Sequence, residues 1–144
     1  MKMNSPGRIL GIDYGTKRVG IAVSDPMQII AQGISTLPND GTLLKRIGDI
    51  ISQMSVKEVV IGKPLKLDGK SGESADAVSN FAQRLRNTFH LKVIEWDERF
   101  TSTIAHRTQV ELGIKKKARR NKENIDKLAS QIILQSYLDS PRNS

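Results

Sequence analysis

The connection between the first two apolar segments constrains the fold of this chain more than any other feature. Residues 8–13 (RILGID) and Arg18–Ser24 (RVGIAVS) both have the pattern of buried strands, and only residues 14–17 lie between them. So short a link allows only an antiparallel pair, because a parallel return needs a crossover of about a dozen residues or more. The pair is therefore predicted to open a sheet, and residues 29–37 are predicted to add a third strand.

Downstream of residue 37, the period of the apolar residues changes from two to 3.6, which indicates helices. The helices alternate with two more predicted strands, at residues 56–61 and 91–96. The helices are expected at residues 43–54 (capped by Asp40 or Thr42), 75–89, 104–112 (capped by Thr101 or Ser102) and 124–138 (capped by Asn124). This order predicts an α/β fold with one mixed five-stranded sheet, helices on both faces, and a single domain over residues 1–144.

The composition of the chain narrows its chemistry. The sequence has no cysteine and two histidines, which excludes thiol catalysis and thiolate zinc sites and leaves little material for a Ser/His/Asp triad. Lys and Arg outnumber Asp and Glu by 23 to 15, and this net charge of +8 favours a polyanionic partner. No apolar run is long enough for a membrane span and no signal peptide is predicted, so we expect a cytoplasmic protein with no membrane partner.

Residues 11–25 (GIDYGTKRVGIAVSD) carry the densest chemical signal. Asp13 ends the predicted central strand, with one glycine two residues before it and another two residues after it, and these glycines would let backbone or a phosphate come close. Hard carboxylate oxygens suit Mg²⁺. Lys17 and Arg18 in the adjoining turn are placed to meet phosphates. Asp13 is therefore the strongest candidate for a metal ligand.

Four motifs in this order resemble the YqgF/RuvX family, whose members are described as Holliday junction resolvases and as nucleases that mature the small-subunit (16S) ribosomal RNA precursor. The motifs span nearly the whole chain, as residues 11–25, VVIGKPLKLDG at 59–69, DERFTS at 97–102 and DKLAS at 126–130. The resemblance implies an RNase H-like fold with sheet order 3-2-1-4-5, which agrees with the strands and crossovers predicted above. It also implies a hydrolase, a nuclease that needs Mg²⁺ or Mn²⁺ to cut phosphodiester bonds.

The predicted topology brings distant acids to one crevice, because the first and fourth strands are neighbours where the winding of the sheet reverses. Asp13 closes the first strand, and Asp97 and Glu98 close the fifth. In related nucleases such acids bind two divalent ions. The resemblance gives this catalytic role to Asp13, to Asp126 in the first turn of the last helix, and to Glu98 with Asp97 as its rival. Neighbouring strand residues face opposite sides, so only one of these two acids is expected to be a ligand. We favour Glu98, and Asp97 would instead hold Arg99 or cap the next helix.

Basic residues around this crevice are interpreted as contacts to nucleic-acid phosphates. Lys63 stands where the family usually has an apolar residue and would be an additional contact. The run KKKARRNK at residues 115–122 has the composition of a solvated loop, but it precedes Asp126 and would border the crevice. The scarcity of aromatic residues predicts recognition of backbone and shape rather than stacking of bases. The predicted contacts are Lys17, Arg18, Lys63, Arg99, Lys115, Lys116, Lys117, Arg119 and Arg120.

Three other interpretations stay open from the sequence. One is a Holliday junction resolvase acting on branched DNA in recombination and repair, as a homodimer. A second is a non-catalytic nucleic-acid-binding factor in ribosome assembly that kept the fold. The third starts from GIDYGT at residues 11–16, which resembles the first phosphate loop of actin-like ATPases and sugar kinases. Those proteins need two such domains, and 144 residues are expected to supply one.

Overall fold

The computed structural model describes residues 5–64, 72–98 and 122–141. Its strands are β1 (Arg8–Tyr14), β2 (Arg18–Ser24), β3 (Ala31–Pro38), β4 (Val56–Lys63) and β5 (Lys92–Asp97). Its helices are α1 (Leu43–Met54), α2 (Glu73–Phe89) and α3 (Lys122–Asp139). Among these described helices, none is long and apolar enough to cross a membrane. The helix predicted at residues 104–112 lies outside the described residues.

The five strands form one sheet in the order β3-β2-β1-β4-β5. β2 runs antiparallel to both β1 and β3, whereas β1 pairs in parallel with β4, and β4 with β5. The turn between β1 and β2 is closed by a hydrogen bond from the Gly15 backbone N–H to the carbonyl of Arg18, at 3.0 Å. A Cβ at Gly15 would lie 2.5 Å from that same carbonyl oxygen, so glycine is needed there for a steric reason. The predicted sheet, its order and its strand directions are confirmed.

Strand alternation divides the core into two layers, because successive side chains point to opposite faces of a sheet. On one face, Leu10, Ile12 and Ile21 pack under α1 and α2. On the other face, Ile9, Ala22 and Val60 pack under α3. Both layers contain side chains with no exposed surface, so helices cover both faces as predicted.

Helix α3 lies close to the sheet because it rests on glycines from four adjacent strands. A Cβ at Gly11 of β1 would lie 2.7 Å from the Leu134 Cβ, and one at Gly33 of β3 would lie 2.7 Å from the carbonyl oxygen of Lys127. The other two glycines are Gly20 of β2 and Gly62 of β4, which meet Asp126 and Ile133 of α3. Gly11, which we expected to let backbone or a phosphate come close, makes room for a helix.

Two glutamines of α3 cover the outer edge of β3, which is an edge strand of the described sheet. The backbone N–H of Ala31 donates to Gln135 Oε1 at 2.8 Å, and that of Gly33 donates to Gln131 Oε1 at 2.9 Å. Gln135 Nε2 also donates to the carbonyl of Ile29 at 3.0 Å. These side chains occupy backbone groups that would otherwise be available to another strand.

Several predicted boundaries differ from the structure by one or two residues, and the starts of the third strand and of the last helix matter most here. The third strand begins at Ala31 instead of residue 29, because the Asp25 carboxylate accepts hydrogen bonds from the backbone N–H groups of Ile29 and Ile30 and holds them in a loop. The last helix begins at Lys122, so Asn124 is not its cap. Asp126 consequently lies one turn further into the helix than predicted, where the helix dipole contributes less to the stability of its carboxylate.

Candidate active site

Asp13 lies near the end of β1, on the face of the sheet that α3 covers. Gly11 of the same strand faces Leu134 of α3, and a residue two positions further along a strand faces the same side. Asp13 is half-buried and its strand partner on β2 is Gly20. The first candidate acid is therefore fixed by the central strand of the sheet.

Helix α3 brings Asp126 to the same place. A Cβ at Gly20 would overlap the carbonyl oxygen of Asp126 and lie 2.6 Å from its carbonyl carbon. Because Gly20 is the partner of Asp13, this contact sets the backbone of Asp126 beside the end of β1. Arg18 Nε donates a hydrogen bond to Asp126 Oδ2 at 2.7 Å, so the carboxylate is held in an ion pair.

Glu98 follows β5 directly and reaches the α3 face across β4. A Cβ at Gly62 would lie 3.1 Å from Glu98 Oε1, and Gly62 follows Ile61, whose partner on β1 is Ile12. The Glu98 carboxylate thus lies beside β4, the strand that neighbours β1 and Asp13. Its side chain is buried, with the residue only 7% exposed.

Asp97 lies on the opposite face. It pairs in register with Lys63, and the preceding residue of the same orientation, Glu95, accepts hydrogen bonds from Ser79 and Arg86 of α2. The structure therefore brings Glu98, and not Asp97, to the side of the sheet that carries Asp13 and Asp126.

Lys63 also lies on the α2 side. Its Nζ is 3.4 Å from Glu95 Oε1. Burial raises the pKa of Glu95, but the hydrogen bonds from Ser79 and Arg86 and the charge of Lys63 outweigh burial and hold that pKa below its ordinary value. Lys63 is thus engaged with an acid on the face opposite to Asp13, and the structure does not bring it to the candidate site.

The remaining predicted phosphate contacts divide into two groups. Lys17 is exposed in the turn after β1, and Arg18 lies next to it at the start of β2. Both are at the end of the sheet where Asp13 lies. The others are outside the described residues, namely Arg99, Lys115, Lys116, Lys117, Arg119 and Arg120.

The acids fit a hard divalent cation by their chemistry, although they are not assembled around one. In the part of the chain that the structure describes, no group of three or more His, Cys, Asp or Glu side chains is arranged to hold a metal ion. The ion pair with Arg18 accounts for Asp126, whose Oδ2 already has a cationic partner. Mg²⁺ needs only one or two protein carboxylates. Asp13 and Glu98 can supply them, because both lie on the α3 face, Asp13 at the end of β1 and the Glu98 carboxylate beside the neighbouring β4: a Cβ at Gly62 of β4 would lie 3.1 Å from Glu98 Oε1.

Two features of the site were missed by sequence reasoning. The first is the role of Gly20 and Gly62, for which a signal existed, since glycine inside a buried strand often marks a close approach of another chain segment. The second is the pair of Arg18 and Asp126, which are separated by 108 positions and carry no local signal of their contact.

A family model named RuvX and described as Holliday junction resolvase matches residues 7–140. The chain belongs to the RuvX family. The resemblance drawn from the four motifs is thereby confirmed. Members of this family are nucleases that hydrolyse phosphodiester bonds.

Similar proteins from two bacteria carry one name, "Putative pre-16S rRNA nuclease". The protein of Flavobacterium johnsoniae is 46% identical over 136 residues, which cover 94% of this chain and 98% of the relative. The protein of Bacteroides thetaiotaomicron is 44% identical with the same coverage. These relatives match from end to end, so the similarity extends over all the elements described above.

Solved structures of resolvases share the fold at low identity. RuvC of T. thermophilus in complex with a Holliday junction substrate superposes with a TM-score of 0.60 at 15% identity, covering 92% of this chain and 93% of that one. The Fowlpox virus resolvase, also solved with Holliday junction DNA, gives a TM-score of 0.53 at 15% identity, covering 94% and 99%. These likenesses confirm the RNase H-like fold.

Proposed function

We propose that the chain is a divalent-metal-dependent nuclease that matures the 16S ribosomal RNA precursor, with Asp13, Glu98 and Asp126 as its catalytic acids. The observation that carries the proposal is that these three acids come from three separate elements and lie on one face of the sheet around the end of β1. Half-buried and buried carboxylates at the end of a strand are the kind of residues from which a divalent-metal site is built, because Mg²⁺ takes hard oxygen ligands.

The residues of the chain have separable tasks in this proposal. Asp13 and Glu98 would hold Mg²⁺ or Mn²⁺, with Asp126 as the third ligand. Such an ion supplies a water of lowered pKa and stabilises charge on the leaving oxygen. The burial of Glu98 keeps bulk water from one side of the site. Lys17, exposed in the adjoining turn, and Arg18 would fix the position of the substrate backbone through its phosphates.

The substrate assignment rests on the names of the relatives, which are about 45% identical along their full length. A ribosomal RNA precursor also suits the net charge of +8, since phosphate contacts supply sequence-independent affinity. This substrate would place the protein in the cytoplasm. Branched DNA is the second candidate, favoured by the family description and by the two resolvase structures of the same fold.

The decisive experiment incubates the purified chain with end-labelled 16S precursor RNA, a four-way DNA junction, and single strands of each, in Mg²⁺, Mn²⁺ or EDTA. We expect metal-dependent cleavage that is fastest on the precursor RNA. Asp13→Asn and Glu98→Gln should lower the cleavage rate by about 100-fold or more, because metal ligation contributes several kcal/mol to such reactions.

Asp97→Asn is the matched control, since it makes the same chemical change one residue from Glu98 on the opposite face of the sheet. Its cleavage rate should stay within a few-fold of the wild-type rate. Faster cutting of the junction than of the RNA would favour the resolvase. A protein that binds RNA without cutting any substrate would instead be an assembly factor, and Asp13→Asn would then bind RNA as well as the wild type or better.

A further inference from the structure

The ion pair between Arg18 and Asp126 lies inside the candidate site and occupies two groups that the reaction needs. Arg18 Nε donates to Asp126 Oδ2 at 2.7 Å, and the two side chains are 37% and 21% exposed. The pair is therefore neither sealed in the core nor free in solvent. A phosphate or a cation arriving from solution can reach both partners.

Each partner has a competing ligand of higher charge. A guanidinium binds phosphate through a planar fork of N–H groups, and the Nε–H that now contacts Asp126 is part of that fork. A carboxylate oxygen that accepts a charge-assisted hydrogen bond gives up part of its attraction for a cation. Arg18 and Asp126 therefore block each other for as long as the pair is intact.

The backbones of both residues are fixed, so an exchange of partners needs only side-chain rotation. Arg18 opens β2 beside the closed turn, where its carbonyl accepts the hydrogen bond from Gly15. The Asp126 backbone rests against Gly20 with no space between them. Neither strand nor helix has to move for the carboxylate to turn from Arg18 toward the end of β1.

We propose that Arg18 is a positioning residue that couples metal binding to substrate binding: a substrate phosphate takes Arg18, and the released Asp126 completes the metal site. The inference deepens the proposed function and rests on it. The coupling would keep the metal site incomplete until nucleic acid is present. By linkage, nucleic acid must then tighten metal binding by the same factor by which metal tightens nucleic-acid binding.

The test measures Mn²⁺ affinity of the full chain by electron paramagnetic resonance, with and without a short phosphorothioate RNA that resists cleavage. The proteins are wild type, Arg18→Gln and Lys17→Gln. Lys17 is the matched control because it is adjacent and exposed, and the structure shows no ion pair for its side chain among the described residues. Both variants remove one positive charge, and they do so at adjacent positions of the chain.

Without RNA, Arg18→Gln should bind Mn²⁺ at least about 5-fold more tightly than wild type, because coupling between two sites is ordinarily about 5–150-fold. Lys17→Gln should change the Mn²⁺ affinity by less than about 2-fold. RNA should tighten Mn²⁺ binding to wild type and to Lys17→Gln by a similar factor and leave Arg18→Gln unchanged. Both variants should bind RNA more weakly. Arg18→Lys, which keeps the charge but not the planar fork, should fall between wild type and Arg18→Gln, and it serves if Arg18→Gln does not fold.

Three results would overturn the inference. Arg18→Gln could bind Mn²⁺ no more tightly than Lys17→Gln, which would reduce the effect to loss of a nearby charge. RNA could tighten Mn²⁺ binding equally in all variants, which would exclude the exchange. If neither the wild type nor any variant bound Mn²⁺, with or without RNA, the proposed metal-dependent function would fail together with this inference. Cleavage by the wild type in Mg²⁺, measured in parallel, separates this last case from the first two.

Discussion

Replacing Gly20 by alanine tests how closely α3 lies on the sheet. The new Cβ would overlap the carbonyl oxygen of Asp126 and lie 2.6 Å from its carbonyl carbon, whereas ordinary contacts of a Cβ are 3.4–4 Å. Both atoms belong to the helix backbone, so no flexible side chain can yield. The helix must move outward by about 1 Å, and it carries the fully buried Ile133 and Leu134 with it.

The magnitude follows from two opposing terms. Overpacking of a close-packed interior costs about 1–3 kcal/mol, and a clash with backbone belongs at the upper end of this range. Alanine in a strand recovers about 0.5–1 kcal/mol of the conformational entropy that glycine loses on folding. We therefore expect Gly20→Ala to lower the free energy of unfolding by about 2–2.5 kcal/mol, which corresponds to about 6–10 °C in Tm for a chain of this size.

Urea unfolding, followed by circular dichroism, would measure this change, and Gly41→Ala is the matched control. Nothing lies within 4 Å of a Cβ at Gly41, so the same chemical change should leave stability unchanged or raise it by up to about 1 kcal/mol. If Gly20→Ala were as stable as Gly41→Ala, with an equal slope against urea, α3 would not rest on β2 as described and the position of Asp126 would lose its basis.

Three further predictions test other contacts of the described residues. Gly62→Ala should cost less stability than Gly20→Ala, because its Cβ would meet the flexible end of the Ile133 side chain at 2.6 Å. It should nevertheless slow cleavage, because the Cβ would lie only 3.1 Å from Glu98 Oε1 and displace that carboxylate. The free energy of unfolding and the cleavage rate, measured on the same sample, would separate the two effects. The double variant Gln131→Ala/Gln135→Ala should lose about 1 kcal/mol of stability for each hydrogen bond to β3. It should also associate at high concentration through the uncovered edge of β3, which sedimentation would detect. A monomer of unchanged stability would contradict the edge-covering role of the two glutamines. The pKa of Glu95 is lowered in the folded chain, so its ionised carboxylate stabilises the fold above its ordinary pKa of 4.5, and this effect is lost as the pH falls through the folded value. The difference in stability between wild type and Glu95→Gln should therefore shrink in acid. A difference that did not depend on pH would refute the lowered pKa of Glu95.

The sheet was predictable because local features decide it. The few residues between the first two strands impose an antiparallel pair, and the predicted second strand, Arg18–Ser24, has the observed bounds. Strand alternation likewise separates Asp97 from Glu98 before any coordinates are known, since the period of a strand is two residues. Topology then places the ends of β1 and β5 in one crevice. These inferences need no knowledge of which side chains touch.

Contacts between distant segments were not predictable in the same way. The start of α3 was misplaced because Asn124 is a good N-cap residue, yet the helix already includes Lys122. Lys63 was interpreted from its position in a motif, but its ion pair with Glu95 depends on the register of β4 against β5. The pairing of Arg18 with Asp126 depends on a helix docking over a strand more than a hundred residues away.

The three candidate acids differ in what holds them, and this difference has a consequence for the reaction. Asp13 and Glu98 belong to the sheet or follow it directly, and Glu98 is buried against β4. Asp126 belongs to α3, whose close contact with the sheet depends on glycines, and its carboxylate is paired with Arg18. Any change that loosens α3 should therefore remove the third acid while the first two stay in place. Because two carboxylates suffice for Mg²⁺, such a protein should still bind one ion but lose the coupling of that ion to nucleic acid.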